Sequence, residues 1–230
     1  MKTLYIIPAR GGSKGIPKKN IKPLAGKPLI QYSIDRVREV ADESDICVST
    51  DSDEIIEVVN NYNLEVPFKR PEYLSDDKSG TYEVLLHALD FYKQKNVVYD
   101  TVMIVQPTSP FRLRNHFLEV LDLYHENLDM VVSVGKSHQN PYFTLFEENK
   151  DGLLEKSKDG DYKTRQECPS VYFYNGSLYL INVNSLYQNP INQFKRVRKY
   201  LMEEKYSVDI DTPLDWSICE TMISQGYINF

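Results

Sequence analysis

Residues 4–20 read LYIIPARGGSKGIPKKN, a short apolar run that passes directly into a loop rich in glycine and lysine. An apolar run of this length that ends at Pro8 is typical of a buried strand. The three glycines that follow let backbone N–H groups come close to an anion. Arg10 can hold a phosphate through two hydrogen bonds, and Lys19 adds a compact positive charge. This stretch therefore predicts a strand followed by a phosphate-binding loop, with a structural turn that merely exposes lysines as the alternative.

The charge of the chain is unevenly distributed. Its 230 residues carry a net charge of −6, which does not favour binding to nucleic acid or other polyanions. The first 27 residues nevertheless contain only basic charges, namely Lys2, Arg10, Lys14, Lys18, Lys19, Lys22 and Lys27. A basic patch on an acidic protein favours a small anionic ligand, although an ordinary solvated surface has the same appearance.

The sequence also carries signals about location and thiol chemistry. No apolar run approaches the length of a membrane span, and the segment Met1–Pro8 lacks the features of a signal peptide. The three cysteines, Cys47, Cys168 and Cys219, are scattered and lack metal-ligand spacing. We therefore expect a cytoplasmic protein with reduced thiols, without a zinc site and without membrane contact.

Short apolar runs alternate with segments of helical periodicity along most of the chain. We predict strands at Leu4–Ile7, Ile46–Val48, Val66–Phe68, Val102–Val105, Met130–Val134, Leu178–Ile181 and Tyr206–Ile210. We predict helices that begin at Pro28, after a cap at Asp51 or Ser52, near Thr81, after a cap at Asn115 and at Pro213. This order predicts one α/β domain over residues 1–230, with a mainly parallel sheet and helices on both faces.

The alternation stops between Lys136 and Asn175. This stretch is polar and carries Asp-Gly turn signals at 151–152 and 159–160. The regular pattern resumes at Leu178, so the stretch interrupts the sheet-forming sequence rather than ending it. We predict an inserted β-rich arm at about residues 137–175.

The loops that follow the predicted strands are where chemistry is expected, because open α/β sheets bind ligands outside the carboxyl ends of their strands. Asp209 and Asp211 lie in one such segment, and in extended backbone their side chains point to the same side. Mg²⁺ typically binds one or two carboxylates and completes its shell with water and substrate phosphates. Because Thr212 and Pro213 come next, the residues alone fit either a magnesium site or a helix cap. Asp215 is expected to be a surface or capping residue.

Five motifs resemble, in order, those of the acylneuraminate cytidylyltransferases, also called CMP-sialic acid synthetases. They are Arg-x-x-Ser-Lys-Gly-x-x-x-Lys-Asn at 10–20, Arg-Pro-Glu-Tyr-Leu-Ser at 70–75, Gln-Pro-Thr-Ser-Pro-Phe-Arg at 106–112, Arg165-Gln166 with Asn-Gly-Ser-Leu-Tyr at 175–179, and Asp-Ile-Asp-Thr-Pro-Leu-Asp at 209–215. The resemblance implies a three-layer α/β/α, Rossmann-like nucleotidyltransferase fold with a mixed, mainly parallel sheet. It also implies that the arm forms a homodimer and reaches toward the partner's active site.

The resemblance implies transfer of CMP from CTP to a nonulosonic acid, with Mg²⁺ and with release of pyrophosphate. Arg10 and Lys19 would neutralise phosphate charge, while Asp209 and Asp211 would bind the metal and Asp211 could also act as a base. The nucleotide would be held by Arg10, Ser13, Asn20, Arg70, Ser79 and Thr81. The sugar acid would be held by Gln106, Thr108, Ser109, Arg165 and Tyr179, with Arg165 also acting in catalysis. Arg165 could instead be an ordinary surface arginine, and Tyr179 a core residue.

The acceptor acid is less well defined than the nucleotide. N-acetylneuraminate is the leading expectation. However, Phe143 and the pair Phe173-Tyr174 stand where some bacterial sialic acid enzymes of this family have positive charges. Acceptors such as KDN, legionaminate, pseudaminate or KDO therefore stay open. A non-catalytic nucleotide-sensing module on the same fold is the rival of another class, and it has no need for an acidic metal-binding pair.

Overall fold

The computed structural model of the chain describes residues 1–75 and 80–228. Within these residues the strands are β1 (Thr3–Pro8), β2 (Pro23–Leu24), β3 (Lys27–Pro28), β4 (Ile46–Ser49), β5 (Thr101–Val105), β6 (Met130–Lys136), β7 (Phe146–Glu148), β8 (Leu154–Lys156), β9 (Tyr172–Asn182) and β10 (Val197–Leu201). The α-helices are α1 (Leu29–Arg38), α2 (Asp53–Asn61), α3 (Thr81–Gln94), α4 (Arg114–Asp122), α5 (Val183–Gln188) and α6 (Pro213–Ser224).

Six of these strands form the central sheet, in the order β10-β6-β9-β5-β1-β4. The pairs β1–β4, β1–β5 and β6–β10 are parallel. Strand β9 is antiparallel to both of its neighbours, β5 and β6. The prediction of a mainly parallel sheet is therefore confirmed, with one antiparallel strand in its interior.

Alternating side chains of the strands build two hydrophobic layers on opposite faces of the sheet. On one face, Tyr5 and Ile7 of β1 belong to a buried cluster with apolar residues of α1, α2 and α4. On the other face, Leu4 and Ile6 belong to a cluster with residues of α3 and α5. The period of two along β1 is the reason that both faces need a helical cover. The predicted arrangement of helices on both faces is confirmed.

Several local predictions differ from the structure. Residues 66–68 form no strand, and the only ladder contact there is an isolated bridge between Thr50 and Lys69. Helix α4 begins at Arg114, and the backbone N–H of Leu113 donates to His116 Nδ1, so Asn115 is not its cap. At α2 the predicted alternative Ser52 is the cap, because its hydroxyl accepts from the backbone of the third helical residue.

The predicted strand at Tyr206–Ile210 is also absent. The chain forms a short 3-10 turn at Glu204–Tyr206 and then runs without a strand partner. The backbone N–H of Ile210 donates to the Thr108 carbonyl oxygen at 2.8 Å, and its carbonyl accepts from Lys19 Nζ at 2.5 Å. These loop contacts satisfy the backbone groups that a sheet neighbour would otherwise use.

The predicted arm contains a small hairpin of its own. Strands β7 and β8 pair antiparallel, and a 3-10 turn at Arg165–Glu167 follows them. The arm, defined here as residues 137–175, then leads into β9, which already begins at Tyr172. Its strand content is thus one two-stranded hairpin and the first residues of a core strand. Among the helices that the structure describes, none is both long and apolar enough to span a lipid bilayer.

Candidate active site

A cavity of about 650 Å³ opens at the carboxyl ends of β1 and β5. It is lined by Pro8, Arg10, Ser13, Lys14, Gly15, Lys19, Asn20, Arg70, Leu74, Ser75, Thr81, Val84, Gln106, Pro107, Thr108, Tyr174, Gly176, Tyr179, Asp209 and Asp211. This is the position at which open α/β sheets bind their ligands. The first, second, third and last of the sequence motifs thus meet around one space, as does the Asn-Gly-Ser-Leu-Tyr part of the fourth.

Two contacts hold the glycine-rich loop in place, one within the loop and one to the acidic segment at residues 209–211. The buried side chain of Asn20 donates from Nδ2 to the Arg10 carbonyl oxygen at 3.0 Å, which closes the loop on itself. Gly15 lies against the acidic segment, so that a Cβ at this position would come within 2.2 Å of the Asp211 carbonyl oxygen. No side chain fits at that distance, and glycine is therefore required where the loop approaches residue 211.

Asp51, at the end of β4, anchors the cationic side of the cavity. Its carboxylate accepts from the backbone N–H of Gly11 at 3.0 Å and from Arg70 Nη2 at 3.5 Å. Arg70 is itself buried and donates from Nε to Ser75 Oγ at 3.0 Å. Burial lowers the pKa of Arg70, Asp51 opposes that shift, and the nearby charge of Arg10 adds to it. Two guanidinium groups therefore lie near one carboxylate, which leaves this end of the cavity suited to a polyanion.

Lys19 connects the basic loop to the acidic segment. Its Nζ donates to the Ile210 carbonyl oxygen and lies 3.0 Å from Asp211 Oδ1. The Lys19 side chain is only 11% exposed, whereas the Asp211 side chain is 74% exposed. The carboxylate of Asp211 is thus open to a further ligand while Lys19 is fixed beside it.

Asp209 lies next to Asp211 on the same cavity. The Asp209 side chain is exposed to the cavity, but the surrounding protein still removes part of its hydration. This desolvation raises the pKa of the Asp209 carboxyl, and the charge of Asp211 raises it further. A hydrogen bond from Thr108 and the charge of Lys19 act in the opposite direction. Asp215 accepts from the backbone N–H groups of Asp211 and Thr212 at 3.1 and 2.7 Å, so it caps α6 and fixes the acidic segment.

The other wall of the cavity is polar and aromatic. Gln106 follows β5, and the rings of Tyr174 and Tyr179 on β9 pack edge to face with centroids 5.9 Å apart. A register irregularity interrupts β9 between these tyrosines, where Gly176 has a φ of +73° and a Cβ would meet Asp209 at 2.8 Å. Asn175 stabilises the irregularity, because its Oδ1 accepts from Ser133 Oγ at 2.6 Å. The bulge thereby brings an exposed tyrosine and the acidic segment to the same cavity.

A sequence model described as cytidylyltransferase matches residues 4–223 of the chain. The chain belongs to the cytidylyltransferase family. It is 32% identical over 224 residues to a CMP-N,N'-diacetyllegionaminic acid synthase of Legionella pneumophila, covering 97% of each protein. It is 33% identical over 220 residues to an N-acylneuraminate cytidylyltransferase of Streptococcus agalactiae, covering 94% of this chain and 52% of that longer protein.

A solved structure supports the fold of this cytidylyltransferase. A CMP:2-keto-3-deoxy-manno-octonic acid synthetase complexed with CTP superposes with a TM-score of 0.69. The match covers 98% of this chain and all of the other, at 17% identity. The predicted three-layer nucleotidyltransferase fold is thus confirmed.

Most of the site residues predicted for this cytidylyltransferase line one cavity. Those that do so are Arg10, Ser13, Lys19, Asn20, Arg70, Thr81, Gln106, Thr108, Tyr179, Asp209 and Asp211. Ser109 is buried beneath the cavity, where its hydroxyl donates to the Asn175 carbonyl oxygen at 3.4 Å. Arg165 is exposed on the arm and lines a second cavity. Ser79 lies outside the described residues.

From the sequence, Asp51 is a possible helix cap in one of the loops where chemistry is expected, without a specific role, and Tyr174 has no predicted role. Asp51 carries a usable signal, since an acidic residue directly after a parallel strand lies at the ligand-binding edge. Tyr174 carries none, because its position depends on the bulge at Asn175 and Gly176. A regular strand would have placed the following residues with the opposite alternation.

Proposed function

We propose that this cytidylyltransferase transfers CMP from CTP to the anomeric hydroxyl of a nonulosonic acid and releases pyrophosphate, with N-acetylneuraminate as the first candidate acceptor. The observation that carries the proposal is the meeting of Arg10 and Lys19 with Asp209 and Asp211 around one cavity. The triphosphate is a polyanion and its departing group is pyrophosphate. Cationic side chains and carboxylates that share one cavity match a bound nucleotide that needs a divalent metal ion.

The protein accelerates such a reaction mainly by positioning the reactants and by stabilising the charge that develops in the transition state. The anomeric oxygen forms a bond to the α-phosphorus while the bond from that phosphorus to the β-bridging oxygen breaks. Arg10 and Lys19 stabilise the charge that accumulates on the phosphate oxygens and on the leaving pyrophosphate. The hydroxyl proton passes to a carboxylate of the acidic segment, for which the exposed Asp211 is the candidate.

Asp209 and Asp211 fit a magnesium ion. Both side chains are hard oxygen donors on one cavity. Desolvation and, to a lesser extent, the charge of Asp211 raise the pKa of Asp209, and a bound cation would offset both effects. Two carboxylates leave coordination positions for water and phosphate oxygens, which is the usual arrangement for Mg²⁺. When bound, the ion would neutralise charge on the triphosphate, in addition to the charge that Lys19 already offers.

The residues on the acceptor side of the cavity fit N-acetylneuraminate, and they also fit sugar acids that carry apolar substituents. Gln106 can donate to and accept from sugar hydroxyls, and the Tyr174 and Tyr179 rings can pack against ring C–H groups and acyl methyls. Relatives named for diacetyllegionaminic acid and for N-acylneuraminate are 32% and 33% identical to the chain, so identity does not separate these acceptors. N-acetylneuraminate, KDN, legionaminate, pseudaminate and KDO therefore form the panel to be tested.

The direct test is pyrophosphate release with CTP, Mg²⁺ and each acid of this panel, with UTP replacing CTP as a nucleotide control. We expect release with CTP and at least one nonulosonic acid, and a CMP-linked product of the matching mass. CTP binding without product formation for any acid of the panel would contradict the proposed reaction and favour the nucleotide-sensing alternative.

Two adjacent lysines provide a matched pair for the same assay. Lys19 lies beside Asp211, whereas Lys18 is exposed and pairs with Glu54 on the surface. Lys19→Ala should lower kcat by about a hundredfold, the typical effect of removing one group that stabilises transition-state charge. Lys18→Ala should stay within about twofold, since surface pairs contribute little. Equal losses for the two variants would contradict the role given to Lys19.

We also propose that the arm pairs with a second copy of the chain and delivers Arg165 of the partner subunit to the cavity. The arm exposes large apolar side chains, namely Leu145, Phe146, Leu153 and Leu154, which favours burial against a protein surface. Arg165 lies on the same arm, and its guanidinium suits the carboxylate of an acid substrate.

Mixing two inactive variants tests this sharing of sites. Arg165→Ala and Asp211→Ala each remove one essential group, and random reassociation makes half of the dimers mixed. If Arg165 acts on the partner's site, one of the two sites in each mixed dimer is intact, and activity recovers to about a quarter of the wild-type value. No recovery, together with proven subunit exchange, would contradict a contribution from the partner.

A further inference from the structure

Arg112 lies beneath the turn that follows β5, and its side chain is fully buried. Its Nη1 donates to the Gln106 carbonyl oxygen at 2.7 Å and to the Ser177 carbonyl oxygen at 3.2 Å. Its Nη2 donates to the hydroxyl of Ser33 on α1. One guanidinium therefore ties together the end of β5, the bulged part of β9 and a helix of the neighbouring layer.

This placement is costly for the fold. Within the described residues Arg112 forms no ion pair, and Asp209 acts on it only as a charge at longer range. Its Nε is also buried without a hydrogen-bond partner in this part of the chain. Burial lowers the pKa of Arg112 to about 9. Because a buried charge without an ion-pair partner costs desolvation free energy, packing alone does not account for an arginine here.

The turn that Arg112 supports connects an acceptor-side residue, Gln106, to the acidic segment. Gln106 begins the turn and lines the cavity. Thr108 hydrogen-bonds to the Asp209 carboxylate through its hydroxyl, and its carbonyl oxygen accepts from Ile210 N at 2.8 Å. The phosphate-binding loop contacts the acidic segment through Lys19 and Gly15, but it has two further contacts, at Asn20 and Asp51, that do not involve the turn. Displacement of the turn should therefore disturb the acceptor and the acidic segment more than the loop.

We propose that Arg112 is a positioning residue, which fixes the turn at residues 106–108 so that Gln106 remains aligned on the reacting acid and the Asp209 carboxylate on the metal ion that it would bind. The proposal rests on the proposed function for the identity of the acceptor. It assigns no contact between Arg112 and the substrates, since the guanidinium is enclosed by protein on all sides.

The test compares Arg112→Met with Arg112→Lys, and takes Arg196→Met as a control for a structural arginine. Arg196 pairs with Asp129 at 2.8 Å, next to β10, and does not line the cavity. We measure kcat, the KM for each substrate, Tm, and hydrogen exchange of the backbone amides of residues 106–109 and 10–20.

Arg112→Met should lower kcat by about a hundredfold, the cost of misplacing a reacting group by about 1 Å, and should leave the KM for CTP within about threefold. Amides within residues 106–109 should exchange faster, and the rates of those within residues 10–20 should change less. Arg112→Lys keeps the charge and part of the hydrogen bonding, so its kcat should be about tenfold higher than that of Arg112→Met. Arg196→Met should lower Tm without this split between kcat and KM.

Three outcomes would overturn the proposal. They are an unchanged kcat in Arg112→Met, a rise in the KM for CTP that matches the loss of kcat, and unchanged exchange at residues 106–109. If Arg112→Met does not fold, the same criteria apply to Arg112→Lys. A wild-type enzyme that releases no pyrophosphate with any acid would instead contradict the proposed function, and the exchange data would still decide the role of Arg112 in holding the turn.

Discussion

The loop at residues 10–20 and the arm at residues 137–175 differ in how completely one chain supports them. The loop is fixed by Asn20 from within, and by Lys19 and Gly15 against the acidic segment. The arm carries a short hairpin, and Leu153 and Leu154 of that hairpin remain open to solvent. The difference indicates that the cationic end of the cavity is held in place by contacts within a single chain, whereas the arm presents apolar surface that the described part of this chain does not cover.

The largest effect is expected from Asp211, in the acidic segment that the loop contacts. Asp211→Ala should lower Mg²⁺-dependent turnover by about a thousandfold, because a metal that stabilises transition-state charge contributes several kcal/mol. Asp53→Ala removes the same charge from an exposed position that pairs with Lys69, and it should stay close to wild type. Initial rates over a range of Mg²⁺ concentrations give both values. Near-normal turnover of Asp211→Ala would remove the acidic side from the site.

A pair of glycines tests the close approach of the loop to the acidic segment. Gly15→Ala puts a Cβ about 2.2 Å from the Asp211 carbonyl oxygen, whereas a Cβ at Gly12 meets nothing within 4 Å. Gly15→Ala should therefore lower kcat/KM by about tenfold or more and destabilise the fold by about 1–3 kcal/mol. Gly12→Ala should leave the stability of the fold unchanged, because its added Cβ meets no atom of the described residues within 4 Å. Thermal unfolding and steady-state rates check the pair, and equal behaviour of the two variants would contradict the described contact.

The last comparison concerns the arm. Leu154 on the arm and Leu214 on α6 are each 69% exposed, so they form a matched pair. If the arm is a subunit interface, Leu154→Ser should weaken dimerisation by about tenfold or more, because burying a leucine contributes about 1.5–3 kcal/mol. Leu214→Ser should leave dimerisation unchanged. Sedimentation equilibrium measures both constants, and a larger loss for Leu214→Ser would assign the interface to the other face.

The cationic end of the cavity could be predicted from the sequence because its residues follow the ends of strands. Apolar runs located β1 and β5, and parallel strands bring the loops after their carboxyl ends to one edge. That rule was sufficient to bring Arg10, Lys19 and Gln106 together. Asp209 and Asp211 joined them although their segment is not a strand, since loop contacts to Thr108 and Lys19 place them there instead.

Other features depend on tertiary contacts that leave no local signal. Strand β10 is polar and lies at the edge of the sheet, so its sequence has no apolar run to mark it. The burial of Arg112 follows from the packing of three elements around it, whereas arginine is usually a surface residue. The position of Tyr174 follows from the bulge at Gly176. The positions of β10, Arg112 and Tyr174 could therefore not be predicted from hydrophobic periodicity or from residue propensities.

The most direct measurement is anomalous diffraction from crystals grown with Mn²⁺ and a non-hydrolysable CTP analogue. We predict a manganese peak between the carboxylates of Asp209 and Asp211, with triphosphate oxygens in contact with that ion and with the side chains of Arg10 and Lys19. A nucleotide bound in another part of the molecule, or an analogue bound in this cavity with manganese remote from both carboxylates, would contradict it.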